Sequence, residues 1–121
     1  MRVMMMIKGD REPGHLPSDE FLTQMGQYNE ELSKAGVLVD LAALHWSAEG
    51  VRVKFSGGKR TVIEGPFAGA KETVAGYWIL QVKSMDEAIE WAKRLPFEAG
   101  GEPEAEGEIE IRQLFGMEEF G

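Results

Sequence analysis

Along this chain, runs in which apolar residues follow one another without interruption alternate with runs in which they recur at helical spacing. Arg2 to Lys8 carries Val3-Met4-Met5-Met6-Ile7 in succession, the pattern of a strand covered on both faces. Gly9 to Pro17 is polar and reads as a loop. Ser18 is a good helix N-cap followed by Asp19 and Glu20, and Phe21, Leu22, Met25, Tyr28, Leu32 and Ala35 then recur at helical spacing up to Gly36. That spacing predicts an amphipathic helix with one buried stripe. Val37 to Trp46 reads as a second strand, apolar on both faces apart from Asp40 and His45.

Val51–Phe55 and Lys59–Glu64 flank Gly57-Gly58, a connection suited to a primed hairpin turn. The turn predicts pairing of Ser56 with Lys59, Val53 with Val62 and Val51 with Glu64. One hairpin face then carries Val51, Val53, Phe55, Arg60, Val62 and Glu64. The other, with Arg52, Lys54, Thr61 and Ile63, reads as the solvated one. Val74 to Lys83 is the most strand-like run, and Ser84 with Glu87 forms a capping box for a second helix. That helix buries Met85, Ala88, Ile89, Trp91, Ala92 and Leu95, and Pro96 ends it. Phe97 to Gly107 reads as a mobile Glu-, Gly- and Pro-rich surface connection, and Glu108 to Phe115 as a last strand. The order strand, helix, strand, hairpin, strand, helix, strand predicts one α+β domain over residues 1–121. Its plan is ferredoxin-like, with two helices on one face of an antiparallel sheet and an added β-hairpin.

The chain is organised around the break at Gly65-Pro66. Pro66 has no backbone donor and a fixed φ, and Gly65 accepts angles that other residues avoid, so the strand ending at Glu64 cannot run on. Phe67 is a lone aromatic anchor beyond it. Ala68, Gly69 and Ala70 have almost no side chain, so this loop can pass close to another backbone or to a ligand, with Lys71 and Glu72 as its charges.

Composition narrows the partners. The chain of 121 residues is 43% hydrophobic and 28% charged, as in soluble globular domains. Its net charge of -8 opposes the counterion release that drives nucleic-acid binding, and no basic patch offsets it. The absence of cysteine excludes disulfides, thiolate metal sites and cysteine nucleophiles. The apolar start is too short for a signal-peptide core or a membrane span, so a cytoplasmic location with no membrane partner is expected. There is no P-loop, dinucleotide fingerprint or HExxH motif, and the expectation is no cofactor and no metal. The Met4-Met5-Met6 run reads as core, and the acidic residues from Glu98 to Glu110 as a solvated loop.

Glu64-Gly65-Pro66-Phe67, Lys71-Glu72 and Gly76-Tyr77-Trp78 together closely resemble the DGPF branch of the YCII-related proteins. Met4-Met5-Met6-Ile7-Lys8, Ser56-Gly57-Gly58-Lys59, Asp86-Glu87-Ala88-Ile89-Glu90-Trp91 and Glu108-Ile109-Glu110-Ile111-Arg112 match its other blocks, so the resemblance spans the chain. It implies a ferredoxin-like subunit forming a dimeric α/β barrel. It also implies proteins that are mostly uncharacterised, some proposed to use a His and Asp pair in a cleft. One branch is linked to dehalogenation of aromatic ring compounds, and DGPF members are often encoded near sigma factors. Here Glu64 replaces the motif's aspartate, Gly69 stands where an acidic residue is common, and Asp40-Leu41-Ala42-Ala43-Leu44-His45-Trp46 lacks the acidic group usual beside the histidine.

His45, at a strand end just before Ser47, is a candidate general base or a pocket-lining residue. Its spacing from Asp40 places the two on opposite strand faces unless a bulge intervenes. Glu64 shares a strand face with Arg60; the favoured reading is a local salt bridge or a carboxylate accepting donors from the Pro66 turn, the other a catalytic acid. Tyr77 and Trp78 must face opposite ways, one under the helices and one toward the far sheet face. Two functions follow. One is a cofactor-free enzyme or binder for a small metabolite, such as an aromatic one, in a cleft at the sheet and dimer interface. In it His45 and Glu64 are the catalytic candidates, and Arg60, Lys71, Tyr77 and Trp78 contact the ligand. The other is a non-catalytic dimeric module that engages a protein partner, as in sigma-factor-linked regulation.

Overall fold

The computed structural model describes residues 1–97 and 107–121. Its strands and helices are β1 (Arg2–Lys8), α1 (Asp19–Lys34), β2 (Leu38–Ala43), β3 (Val51–Ser56), β4 (Lys59–Glu64), β5 (Val74–Gln81), α2 (Met85–Lys93) and β6 (Glu108–Gln113). The main sheet has the order β2-β5-β1-β6 with every neighbour antiparallel, an α+β arrangement compatible with the ferredoxin-like plan. The connection expected between Phe97 and Gly107, and the acidic residues within it, lie outside the described residues apart from those two ends.

The uninterrupted apolar run of β1 is explained by what its two faces meet. Val3 and Met5 point into a core shared with Trp78 and Leu80 of β5, Tyr28 and Leu32 of α1, and Ala88 and Trp91 of α2. Both helices therefore pack on this one face. The core's polar atoms are matched in place: Tyr28 donates its hydroxyl to the Trp91 carbonyl at 2.7 Å, and the Trp78 indole donates to Asn29 at 2.9 Å. Register puts Met4 and Met6 on the opposite face beside Ile79 and Tyr77, with Ala42 next to Tyr77. Among the described residues no helix packs there.

Helix starts follow their capping residues. The Ser18 hydroxyl accepts from Phe21 N–H, and that of Ser84 from Glu87 N–H. The Glu87 carboxylate, however, accepts from Lys83 N–H at 2.8 Å and not from Ser84, so the expected capping box closes one residue early. β2 bulges between Leu38 and Asp40 and ends at Ala43, short of the expected Trp46. The reason is that the next residues turn away to meet the loop after β1, where Trp46 and Ser47 make their hydrogen bonds.

β3 and β4 form the expected hairpin in the expected register, Ser56 facing Lys59, Val53 facing Val62 and Val51 facing Glu64. Gly57 and Gly58 both have positive φ, 57° and 78°, as the primed turn demands. The hairpin stands apart as its own two-stranded sheet. Only one face was expected to be solvated, yet within a single chain both are: Val51, Phe55 and Val62 are 62, 69 and 63% exposed. Among the described residues no helix is long and apolar enough to cross a membrane.

Candidate functional site

Ser47 is a buried polar residue at the centre of a tie between three segments. Its N–H donates to Asp10 Oδ1 at 2.9 Å and its hydroxyl to Asp10 Oδ2, while its Oγ accepts from Phe67 N–H at 3.0 Å. Both carboxylate oxygens of Asp10 are thus engaged, and the Ser47 hydrogen bonds hold its pKa below the usual carboxylate range. Asp10 consequently stays ionised at neutral pH and works as an anchor and acceptor, not as a proton donor.

The Gly65-Pro66 break has its reason in the same place. Gly65 lacks the left-handed backbone that would favour glycine, so the expected conformational argument is replaced by a steric one. A Cβ at Gly65 would lie 2.6 Å from the Ser47 carbonyl carbon and closer still to its oxygen. Gly65 N–H donates to the Gly50 carbonyl at 2.9 Å, and Phe67 lies beneath the Arg52 guanidinium, 3.9 Å from its ring centroid. The motif therefore seats the Ser47–Gly50 turn.

Beside that tie opens a cleft of about 470 Å³ at the end of the main sheet. Its apolar walls include Ile7, Phe21, Trp46 and Phe97, and Leu16 stands at the mouth, 81% exposed. Trp46 is fixed on both sides: its indole N–H donates to the His15 carbonyl at 2.8 Å, and the His15 ring meets it edge-on at 5.9 Å. Lys8, Arg11 and Lys71 supply positive charge, and Asp10 and Glu108 negative charge. The Lys8 ammonium is bridged at 3.4 Å to Glu110. An apolar hollow with a few convergent polar groups is the usual form of a small-molecule site.

Of the site residues expected from sequence, Lys71 lines this cleft and the others do not. His45 borders a smaller one of about 350 Å³ together with Arg52, Phe67 and Glu72. Its ring is 86% exposed, and Nδ1 lies 2.9 Å from Glu49, so the acidic neighbour thought missing from the sequence is present one helical turn later. Glu64 lines neither cleft and is exposed on the hairpin, so it does not share a cavity with His45. Arg60 lies over Phe55, 5.2 Å from its centroid, instead of bridging Glu64. Tyr77 and Trp78 do face opposite ways. Trp78 is buried in the helix-covered core and Tyr77 lies on the other sheet face, so neither walls the larger cleft.

Sequence reasoning left Asp10, Arg11 and His15 inside a polar loop and Trp46 at a strand end. Their signal was present but diffuse: a polar loop holding an aspartate, an arginine and a histidine directly after a buried strand. Among the described residues no cluster of three or more His, Cys, Asp or Glu side chains could hold a metal.

The family model described as the YCII-related domain matches residues 1–116. An uncharacterised protein of Rhizobium meliloti is 32% identical over 81 residues, which cover 67% of this chain and 62% of that protein. The match thus spans less than two thirds of the relative's length.

Proposed function

The chain belongs to the YCII-related family, and from that premise we propose that it is a small-molecule-binding protein of the DGPF branch. It acts as a homodimer and holds its ligand in the cleft between the Gly9–Pro17 loop, Trp46 and the end of β1. The observation that carries this reading is the cleft itself. About 470 Å³ of space is walled by apolar side chains, with a fixed aromatic ring on one side and charged groups at its edge. What supports the dimer is a pair of apolar surfaces, the half-buried Met4, Met6, Tyr77 and Ile79 face of the main sheet, on which no described helix packs, and the exposed Val51, Phe55 and Val62 face of the hairpin. A second copy laid over them completes the dimeric α/β barrel. A soluble, cytoplasmic protein is the corresponding setting.

Each tryptophan donates its indole N–H to a different acceptor: Trp46 to the His15 carbonyl, Trp78 to Asn29 and Trp91 to Glu87. A panel of small aromatic and aliphatic compounds should therefore shift the Trp46 indole resonance before those of the two core tryptophans. A panel that leaves Trp46 unmoved at millimolar concentration refutes the reading. The second reading, a module that engages another protein, has the exposed hairpin as its supporting observation. It prevails if small compounds leave Trp46 unmoved and the hairpin resonances move only when a partner protein is added.

A further inference from the structure

We infer that in the homodimer the hairpin of each protomer receives the segment 114–121 of the other, an acidic aromatic turn laid on a basic apolar ribbon. The inference rests on the dimer proposed above and adds which part of the second copy covers the hairpin.

Apolar surface is left over in two places. Among the described residues, large apolar side chains that are 62% exposed or more fall, Leu16 apart, into two sets. Val51, Phe55 and Val62 are one, at 62, 69 and 63%, and Phe115, Met117 and Phe120 the other, at 72, 84 and 70%. Contiguous apolar surface facing water marks a contact. Both sets are held in place. Register puts Val51, Val53 and Phe55 on one ribbon face with Arg60, Val62 and Glu64. After β6, Met117–Phe120 makes one helical turn, at whose start Gly116 N–H donates to Glu119 at 2.7 Å. The turn brings the Phe120 ring to 5.0 Å from that of Phe115. Each surface thus loses little freedom when it is covered.

Charge selects the pairing. The chain has 21 acidic residues against 13 Lys and Arg, yet Val51–Glu64 carries Arg52, Lys54, Lys59 and Arg60 against Glu64 alone. None of those four cations forms an ion pair with a described residue. Arg60 stands on the apolar face, over Phe55, and the other three lie on the reverse of a ribbon only two strands wide. The segment 114–121 carries Glu118 and Glu119 and no cation. Hairpin against hairpin would set cation against cation, and turn against turn would set carboxylate against carboxylate. Hairpin against turn joins apolar to apolar and opposite charge to opposite charge. A single chain leaves both surfaces exposed, so they meet between copies, twice in a two-fold dimer.

The test measures the dimer dissociation constant of the full chain by sedimentation, with the Trp78 and Trp91 indole resonances reporting an intact core. Phe115→Ser with Met117→Ser should weaken the dimer at least about a hundredfold, because each contact loses two large apolar side chains. Arg60→Glu and Glu118→Lys should each weaken it about tenfold, through two like-charge contacts per dimer. An equimolar mixture of those two variants should regain the parent's association, since both contacts of the mixed dimer then join opposite charges. Absence of that rescue, or a dissociation constant within about twofold of the parent's for the Phe115 and Met117 variant, overturns the pairing. Hairpin resonances that stay unchanged when the dimer dissociates leave the ribbon open to another protein and overturn it as well. In each of these cases the dimer itself stands. A parent that is monomeric at micromolar concentration overturns both.

Discussion

Replacing Gly65 by alanine is the sharpest perturbation the structure offers, because the smallest possible side chain meets backbone and not a yielding side chain. The new Cβ would sit 2.6 Å from the Ser47 carbonyl carbon, whereas non-bonded carbons rest at about 3.5–4.0 Å. Relief therefore needs a displacement of at least about 1 Å, and more at the oxygen, which lies closer still. Such a shift carries the Ser47 N–H out of reach of Asp10, now 2.9 Å away, and Phe67 N–H out of reach of the Ser47 hydroxyl, now 3.0 Å away. Hydrogen bonds to a charged group contribute about 1.5–3 kcal/mol and neutral ones about 0.5–1.5 kcal/mol, and water restores part of both because Asp10 is half-exposed. The expected loss is about 2–4 kcal/mol, or roughly 6–16 °C in Tm for a domain of this size. Urea and thermal unfolding at one fixed protein concentration measure it, since dimerisation would make Tm depend on concentration. Ser47→Ala supplies the cross-check: if Gly65→Ala acts through Ser47, the double variant loses less than the sum of the singles. A Tm within about 2 °C of the parent for Gly65→Ala would refute the steric account.

The remaining expectations use other parts of the molecule. Gly26→Ala, in the exposed middle of α1 with nothing within 4 Å of the added carbon, should stabilise by about 0.5–1 kcal/mol, and a fall in Tm would show that the position is not open. The Asp10 carboxyl has a folded pKa below its unfolded value, so its contribution is present above about pH 4 and is lost as pH falls through the folded value. Asp10→Asn should thus flatten the fall of Tm below about pH 4, and an unchanged acid limb contradicts the tie to Ser47. Burial raises the Tyr28 pKa, so its contribution holds below about pH 10 and declines above it, and Tyr28→Phe should remove that alkaline decline from a Tm profile. Phe55→Glu with Val62→Glu should convert a dimer to a folded monomer by light scattering, while a parent that is already monomeric at micromolar concentration contradicts the dimer.

How much could be seen in advance depended on how local the controlling physics was. The Ser18 and Ser84 caps and the Gly57-Gly58 turn are each decided within a few residues and formed where the pattern placed them, whereas the α1 stripe narrowed to buried Tyr28 and Leu32, with Leu22 of α1 and Ile89 of α2 left 53 and 37% exposed. β2 was read too long because Leu44 to Trp46 are as apolar as a strand. Their conformation is set by the loop after β1, through the Trp46–His15 and Ser47–Asp10 bonds, which join residues 31 and 37 positions apart. The hairpin's register was legible and its environment was not. Alternation marks one face as apolar without saying whether the same chain covers it, and here it does not.

The cleft was harder still, since its residues come from the end of β1, the following loop, the start of α1, the segment after β2, the segment before β5 and its start, Phe97 and the start of β6. The one segment that did stand out, Gly65-Pro66-Phe67, does not line that cleft. It acts at one remove: Phe67 N–H holds the Ser47 hydroxyl, Ser47 holds Asp10, and Trp46 is the next residue along the chain. A change in the motif therefore reaches the cleft only by moving Ser47 and the ring beside it, so stability and ligand affinity fall together. A change at Leu16, an exposed lining residue, would reach the cleft without passing through Ser47, so affinity would fall alone. That separation distinguishes a segment that positions a site from residues that form it, and it explains why the conspicuous motif and the candidate chemistry occupy different parts of this chain.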